Sequence, residues 1–333
     1  MVELTYTDAQ GVEQGILTGY TLDMAWGIDE NDFELKMGLS PRLEPGALIY
    51  ADETEWGGIV DKVSVDETGS AVEVTYSGRT WHGILAGHVL CPESGQAYLG
   101  YDHDANALID TIVANAGLGA LFEVPTDAVE HIKGRFYRYV SAWDGLKMEL
   151  WRNGLRLDFR KQSRGRVLLQ AVAATEYNDD LYSDRFPFKV EQETTHVNHL
   201  VCLGDGELGS REVVHLYADA DGNVSKTQSI TGLLERSEVY ETSASESAED
   251  PDSTLTAQGT ARLLELQQAD QIEVSLSEEL GAHVGDIVAA HSVATPASVT
   301  GTVNKCVLSV NERGVGTLAY EVGTLCEDEE EKQ

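Results

Sequence analysis

Short stretches in which apolar and polar residues alternate dominate the first 80 or so positions of the chain. The segments 33–37, 63–65 and 72–76 change character at every second residue, which is the period of a strand with one buried face. Clusters of glycine and aspartate separate these segments and supply the residues that turns require. The pattern therefore predicts a β domain over residues 1–85.

The pattern changes to helical spacing after residue 92. Apolar residues in 106–117 recur every three or four positions, and a glycine closes the segment, which favours a helix. A second helix is predicted to follow Ser141, which suits an N-cap, and to end near Gly154. The alternating segments of an apparent hairpin then lie at 155–159 and 167–171. These elements predict an α/β domain over residues 86–185.

Strand patterning returns in the last part of the chain, at 188–190, 200–203, 212–217 and 271–325. The Asp-Gly dipeptide at 221–222 is typical of a tight hairpin turn. Residues 241–256 are rich in serine, glutamate and aspartate and are predicted to be an exposed linker. Leucines among good helix formers predict a helix over 257–268. The segment 186–326 is therefore predicted to be a second β domain, followed by a disordered acidic tail at 327–333.

Two distant parts of the chain share one pattern at nearly constant spacing. Each contains an apolar strand led by glycine, a loop, a second glycine-led strand with a lysine, and a last strand with a tyrosine before a glycine. The equivalent residues are Gly46 and Gly285, Lys62 and Lys305, and Tyr76 and Tyr320. Gene duplication leaves such self-similarity when each copy closes the same sheet. A β-rich chain with 32 glycines also produces such matches by chance, and the sequence alone leaves that alternative open.

The repeat predicts a mostly β fold of the α+β class, with two similar antiparallel, tube-like β-barrel domains and an α/β insert between them. Gly46 and Gly285 are predicted to form matching turns, and Gly46→Val is expected to hinder assembly if that glycine has a positive φ. Two similar barrels in each of three chains would present six near-equivalent surfaces, which lets a threefold object bind a sixfold tube.

Acidic residues outnumber basic ones 57 to 23, which gives a net charge of −34. Binding to nucleic-acid phosphates requires basic surfaces, so direct nucleic-acid binding is not expected. A negative wall can still keep passing DNA from adhering, and the simpler alternative is that the charge maintains solubility. No apolar run reaches the roughly 20 residues of a membrane span, and the first residues lack a signal-peptide pattern, so we expect neither a span nor export.

Short sequence segments spread over most of the chain resemble a known family. They lie at 76–81, 83–86, 91–92, 197–204, 206–211, 221–224 and 284–288. They are similar to the tail-associated hub proteins of long-tailed phages, the Gp-thirty-seven-like siphophage family, which is related in fold to baseplate hubs. The resemblance implies a structural homotrimer bound to the tail tube or distal tail protein on one side and to a tip, spike or fibre protein on the other. It also implies assembly in the bacterial cytoplasm and a final place in the virion tail.

Motifs that suggest chemistry have simpler explanations. The glycine motif at 204–209 has nucleotide-loop spacing, but the next segment alternates as a strand where such a loop needs a helix. His196 and His199 would lie on opposite faces of a strand, and the acidic residues of 102–104 suit a loop or a helix cap. Residues 219–223 begin like a calcium loop whose later glycine and glutamate are missing. We therefore expect no catalytic residue, metal or cofactor.

Two other functions stay open at the level of sequence. The five tryptophans, at 26, 56, 81, 143 and 151, either pack in the core or line a carbohydrate-binding face, and core packing is the simpler reading. A sugar-binding face together with the many carboxylates would suit a carbohydrate-binding module or a cell-wall hydrolase. The hub of a phage-derived injection particle is the other alternative, because it would share the architecture of a phage hub.

Overall fold

A computed structural model describes residues 2–68, 71–163, 165–177, 196–204, 206, 211–219, 222–241, 251–267, 272–274, 281–291 and 298–323. Three predictions from the sequence fall outside these residues wholly or largely. They are the strand at 188–190, residues 242–250 of the linker predicted at 241–256, and the acidic tail at 327–333.

The chain divides into two compact units. The first contains Met1–Lys189 and Glu273–Gln333, and the second contains Val190–Ile272. Residues from both ends of the sequence therefore share the first unit. The three-domain division drawn from the sequence is a different partition and stays a prediction.

Seven strands and one short helix come first in the chain: β1 (Thr5–Thr7), β2 (Glu13–Ile16), β3 (Tyr20–Gly27), β4 (Asp32–Met37), β5 (Leu48–Tyr50), β6 (Gly57–Thr68), β7 (Ala71–Thr80) and α1 (Trp81–Ala86). In β4, Phe33, Leu35 and Met37 are buried and alternate with more exposed polar residues, as the period-two pattern predicts. Helix α1 begins where the Thr80 hydroxyl accepts a hydrogen bond from the Gly83 N–H. The sequence did not predict this helix.

The next elements are β8 (Gly100–Asp104), α2 (Ala105–Asn115), β9 (Phe122–Glu123), β10 (His131–Arg135), α3 (Ala142–Trp151), β11 (Leu155–Lys161), β12 (Val167–Ala173) and β13 (Glu176–Tyr177). Both predicted helices are confirmed, and each has an N-cap side chain, Asp104 for α2 and Ser141 for α3. The predicted hairpin is confirmed as the antiparallel pair of β11 and β12. Helix α2 contacts β12 and α3 contacts β11, so this part is α/β as predicted.

The second unit is a sheet covered by a helix on one face. Its elements are β14 (His199–Leu203), β15 (Val213–Ala218), β16 (Val224–Ser225), β17 (Ser237–Glu241) and α4 (Pro251–Gln267), with strand order β16–β15–β14–β17. Leu200 and Leu216 of the sheet pack against Leu255 and Leu263 of the helix. The predicted helix at 257–268 was placed too late, because α4 starts at Pro251 and takes in residues assigned to the linker. Proline is favoured in the first turn of a helix.

The described part of the chain ends with β18 (Ile272–Val274), β19 (Ile287–His291), β20 (Ser298–Val310) and β21 (Gly316–Gly323). These strands complete a 12-stranded sheet, curled into a half-barrel, with the order β13–β19–β20–β3–β4–β7–β6–β5–β1–β2. Strand β21 pairs with β20, and β18 pairs with β21. The chain is therefore mostly β, as predicted. That each half closes as a separate barrel stays a prediction.

Three buried tryptophans form the centre of the first unit. Trp26, Trp81 and Trp143 are at most 2% exposed. The His82 ring stacks on Trp26 and meets Trp143 edge-on, with centroid distances of 5.9 and 4.8 Å. The Trp143 Nε1–H donates a hydrogen bond of 2.9 Å to the Gly27 carbonyl and so ties α3 to β3. Core packing is therefore confirmed for these three tryptophans.

Candidate functional site

The two repeated segments contain the same left-handed glycine. Gly46 has φ of 94° and Gly285 has φ of 101°, in a region that residues with a side chain rarely adopt. The Gly46 N–H donates to the Val60 carbonyl and the Gly285 N–H to the Val303 carbonyl, each over 2.8 Å. Both glycines therefore start a strand in the same way.

A β-bulge follows in both copies. The pairing of β6 with β7 shifts register between Val60 and Lys62, and the pairing of β20 with β21 shifts between Val303 and Lys305. A bulge adds one residue to one strand, bends it and increases its twist. Lys62 and Lys305 are thus the first residues after equivalent bends.

The two tyrosines also lie in equivalent places. Tyr76 of β7 and Tyr320 of β21 each pair with the residue that follows the lysine, and both are 1% exposed. The closing glycines do not coincide, because Gly78 lies two residues after its tyrosine and Gly323 lies three. The lysines and the tyrosines therefore occupy equivalent places in one sheet, and each glycine lies two residues before an equivalent strand. Their role in assembly stays a prediction.

The two lysines differ in their surroundings. The Lys305 ammonium lies 2.7 Å from a Glu30 carboxylate oxygen and 3.5 Å from one of Glu321. Burial lowers the pKa of Lys305, but the hydrogen bond and charge of Glu30 and the charge of Glu321 outweigh burial and raise it. Lys62 is exposed, and within the described residues no carboxylate forms a salt bridge with it.

A shallow groove of about 390 Å³ lies beside the first bulge, between β4, β7 and β6. Asp61 and Arg79 line it and form a bidentate ion pair, with two N–O distances of 2.8 Å. Hydrogen bonding from Arg79 lowers the pKa of Asp61. Lys62 lines the same groove, so the rim of this site carries both signs of charge.

A buried carboxylate anchors the start of the second copy. Asp286 is fully buried and accepts hydrogen bonds from Arg156 Nε at 2.9 Å, the Thr175 N–H at 2.8 Å and the His283 N–H at 2.8 Å. An unpaired buried charge is costly, and these donors compensate for its desolvation. The contacts tie the insert to the second copy of the repeat. No sequence pattern predicts this network, although Asp286 itself lies in the segment 284–288 that carries the family resemblance.

Two histidines share a second buried carboxylate. Glu55 Oε1 lies 2.8 Å from His283 Nδ1, and its Oε2 lies 3.7 Å from His82 Nε2. Burial lowers the pKa of His82, and the charges of His283 and Lys147 lower it further. Burial also lowers the pKa of His283, but Glu55 outweighs burial, and the net pKa is raised. The two imidazoles therefore favour opposite protonation states.

The other predicted motif residues have structural roles. The Gly204 N–H donates to the Glu212 carbonyl, and strand β15 follows the motif at 204–209, of which residues 205 and 207–209 lie outside the described part. His199 lies in β14, and its ring nitrogens form hydrogen bonds with the side chains of Glu235 and His215. His196 precedes β14. Asp104 caps α2, as expected, but Asp102 and His103 lie in strand β8 and not in a loop.

The Asp219 carboxylate accepts a hydrogen bond from the Asn223 N–H at 2.9 Å, consistent with the predicted turn between β15 and β16. Residues 220 and 221 of that turn lie outside the described part. Among the described residues, no group of three or more His, Cys, Asp or Glu side chains has the geometry to hold a metal ion. None of the described helices is long and apolar enough to cross a membrane.

Comparisons with known proteins give similarities of fold. No protein-family model matches the sequence, and no characterised protein sequence matches it significantly. A 43 kDa tail protein of prophage MuSo2 from Shewanella oneidensis has a similar solved structure, with a TM-score of 0.52, 12% identity and coverage of 97% of this chain and 98% of that one. At this identity the similarity shows a shared fold.

Other similar structures are also tail or baseplate proteins. A tail protein from Neisseria meningitidis MC58 has a TM-score of 0.49 and 13% identity, with 96% of both chains covered. A protein of the phage P2 baseplate in its activated conformation has a TM-score of 0.46 and 10% identity, with 99% of this chain and 100% of that one covered.

Proposed function

We propose that this chain is a structural subunit of a phage-type tail, a homotrimeric hub rather than an enzyme. In this proposal the trimer joins the tail tube or distal tail protein to a tip, spike or fibre protein. The virion tail is its place of action. The fold shared with a prophage tail protein supports the proposal.

The observation that carries the proposal is the repeated strand unit. A left-handed glycine, a bulge, a lysine and a buried tyrosine recur in the same order and register. We propose that each copy belongs to its own tube-like β-barrel. Three chains would then present six similar surfaces around one axis, which is what binding to a sixfold tube requires.

The charge and the core agree with this role. A net charge of −34 would make a ring whose lumen repels DNA and does not retain it. Three of the five tryptophans, which would have favoured a sugar-binding face, are instead buried in the core, where each is at most 2% exposed. The role requires surfaces for protein partners, and it requires no catalytic centre.

The mass of the assembled full-length chain tests this function. We expect multi-angle light scattering to give three times the 36.2 kDa of one chain once the concentration exceeds the dissociation constant. High salt is expected to favour the trimer, because it screens the repulsion between strongly acidic chains. A mass of one or two chains at every concentration and salt level would contradict the proposal.

A further inference from the structure

Strand β20 is paired along both of its edges. One edge pairs with β21, and the other pairs with β19 up to Thr302 and then with β3 from Lys305 to Val310. The close approach of β3 requires Gly27, because a Cβ there would overlap the Asn304 carbonyl oxygen. One long strand therefore joins the two copies of the repeat within a chain.

Strand β6 is the counterpart of β20 in the first copy of the repeat, but a smaller part of its second edge is paired. One edge pairs with β7, and the other pairs with β5 at Gly57–Ile59. Beyond the bulge, from Lys62 to Asp66, none of the strands in the described ranges pairs with this second edge. The equivalent stretch of β20 is the one that pairs with β3. A strand edge of this kind is a template for a further strand.

Side-chain burial follows the same difference. The register makes Val65 equivalent to Leu308, since each pairs with the residue two positions before the repeat tyrosine. Leu308 is 0% exposed, whereas Val65 is 54% exposed. An apolar side chain is therefore half exposed in the first copy of the repeat at the position where its counterpart in the second copy is fully buried.

The lysines give a third, electrostatic difference. The Lys305 ammonium forms ion pairs with Glu321 of the paired strand and with Glu30 of the turn between β3 and β4. In the first copy Ser77 stands in the place of Glu321, because it pairs with Lys62. The Lys62 ammonium can therefore form an ion pair with a carboxylate from outside its own sheet. A second copy of this strongly acidic chain can supply that carboxylate.

We propose that the edge of β6 from Lys62 to Asp66 binds a second copy of this chain by strand addition, as β20 binds β3 within one chain. This proposal depends on the ring proposed above and identifies the surface through which neighbouring chains of that ring would make contact. We assign the opposite surface to the other edge of β18 in the next copy, because among the described strands β18 pairs only with β21. Two different surfaces then meet head to tail, which closes a ring when the rotation permits.

Sedimentation velocity of the full-length chain over a concentration series tests this contact. Val65→Glu and Lys62→Glu are each expected to raise the dissociation constant of self-association by at least roughly tenfold, because they place a like charge against an acidic partner. Both positions are exposed, so the far-ultraviolet circular dichroism of the variants is expected to match that of the parent chain. Lys226→Glu makes the same charge change at an exposed residue of the second unit and is expected to leave assembly unchanged.

The possible outcomes separate this contact from the ring itself. If the parent chain and both variants assemble equally well, the β6 edge is not the contact, although the ring can still be correct. If the parent chain stays monomeric at all concentrations, both proposals fail. If the variants lose binding to another tail protein while self-association persists, the edge binds that protein and the proposed occupant is wrong.

Discussion

At the scale of single residues, the two repeat glycines share a backbone conformation but differ in their neighbours. A Cβ on Gly46 would meet the Ala9 Cβ at 3.5 Å, an ordinary contact, whereas one on Gly285 would meet the Arg156 Cβ at 2.8 Å. Backbone strain and steric overlap can therefore be separated by one pair of variants.

Gly46→Ala is expected to lower the free energy of unfolding by about 1–2 kcal/mol, because an alanine is strained at this φ. Gly285→Ala is expected to lower it further, since Arg156 must also move away from Asp286. Urea unfolding of both variants measures the difference. Gly38→Ala is the control, because Gly38 has no left-handed φ and its Cβ would meet nothing within 4 Å. Equal losses for the two repeat glycines would contradict this reasoning.

The pH dependence of stability tests the Glu55 network. The pKa of His283 is raised above 6.5 by Glu55, with Asp286 adding to the shift and Arg156 opposing it. The folded chain thus binds this proton more tightly than the unfolded chain. The stabilisation is complete below pH 6.5 and is lost as the pH rises through the folded pKa. His82, whose pKa is lowered, contributes with the opposite sign below pH 6.5.

We expect the free energy of unfolding of the parent chain to exceed that of His283→Gln most clearly below pH 6.5. The difference is expected to shrink as the pH rises. Removing His283 also removes one of the charges that lower the pKa of His82, which offsets part of the difference at low pH. Urea unfolding of both chains at pH values above and below 6.5 measures this difference in the free energy of unfolding. A difference that does not change with pH would show that protonated His283 contributes nothing through Glu55.

At the scale of elements, helix α4 packs on its sheet through a glycine. A Cβ on Gly259 would overlap Cys202 Sγ and lie 2.8 Å from Leu216 Cδ1. Gly259→Ala is expected to lower the free energy of unfolding by about 1–3 kcal/mol through overpacking, despite the better helix propensity of alanine. Adding Cys202→Ala is expected to restore part of this loss, because it removes the overlapped sulfur.

Chemical unfolding of the two single variants and the double variant forms the required cycle. An additive loss in the double variant would show that the cysteine and the glycine are not in close contact. Hydrogen exchange in β14 and β15 is expected to speed up in Gly259→Ala and to slow again in the double variant.

Elements with a strong local pattern could be predicted from the sequence. Alternation in β4 and the caps of α2 and α3 are local signals, and the structure confirms them. The sequence does not reveal helix α1 because its six residues span fewer than two turns, which is too short to establish a helical period. Helix α4 was started too late because its first turn has the serine and aspartate composition of a linker.

At the scale of the whole molecule, the repeat positions could be read from the sequence but their neighbours could not. The bond between Glu55 and His283 joins residues 228 positions apart, and no local periodicity connects them. The same holds for the pairing of β3 with β20, which places both copies of the repeat in one sheet. Sequence self-similarity identifies equivalent positions, whereas pairing across the chain depends on the complete core.

We propose that each chain contains the same strand unit twice, so that a trimer presents six similar surfaces around its axis. A cryo-electron microscopy reconstruction of the assembled full-length chain, calculated without imposed symmetry, tests it most directly. We expect a threefold ring in which Gly46 and Gly285 alternate around the axis at intervals of about 60° and at similar radii. A ring of another order, or one in which the two glycines lie at unrelated radii, would contradict it.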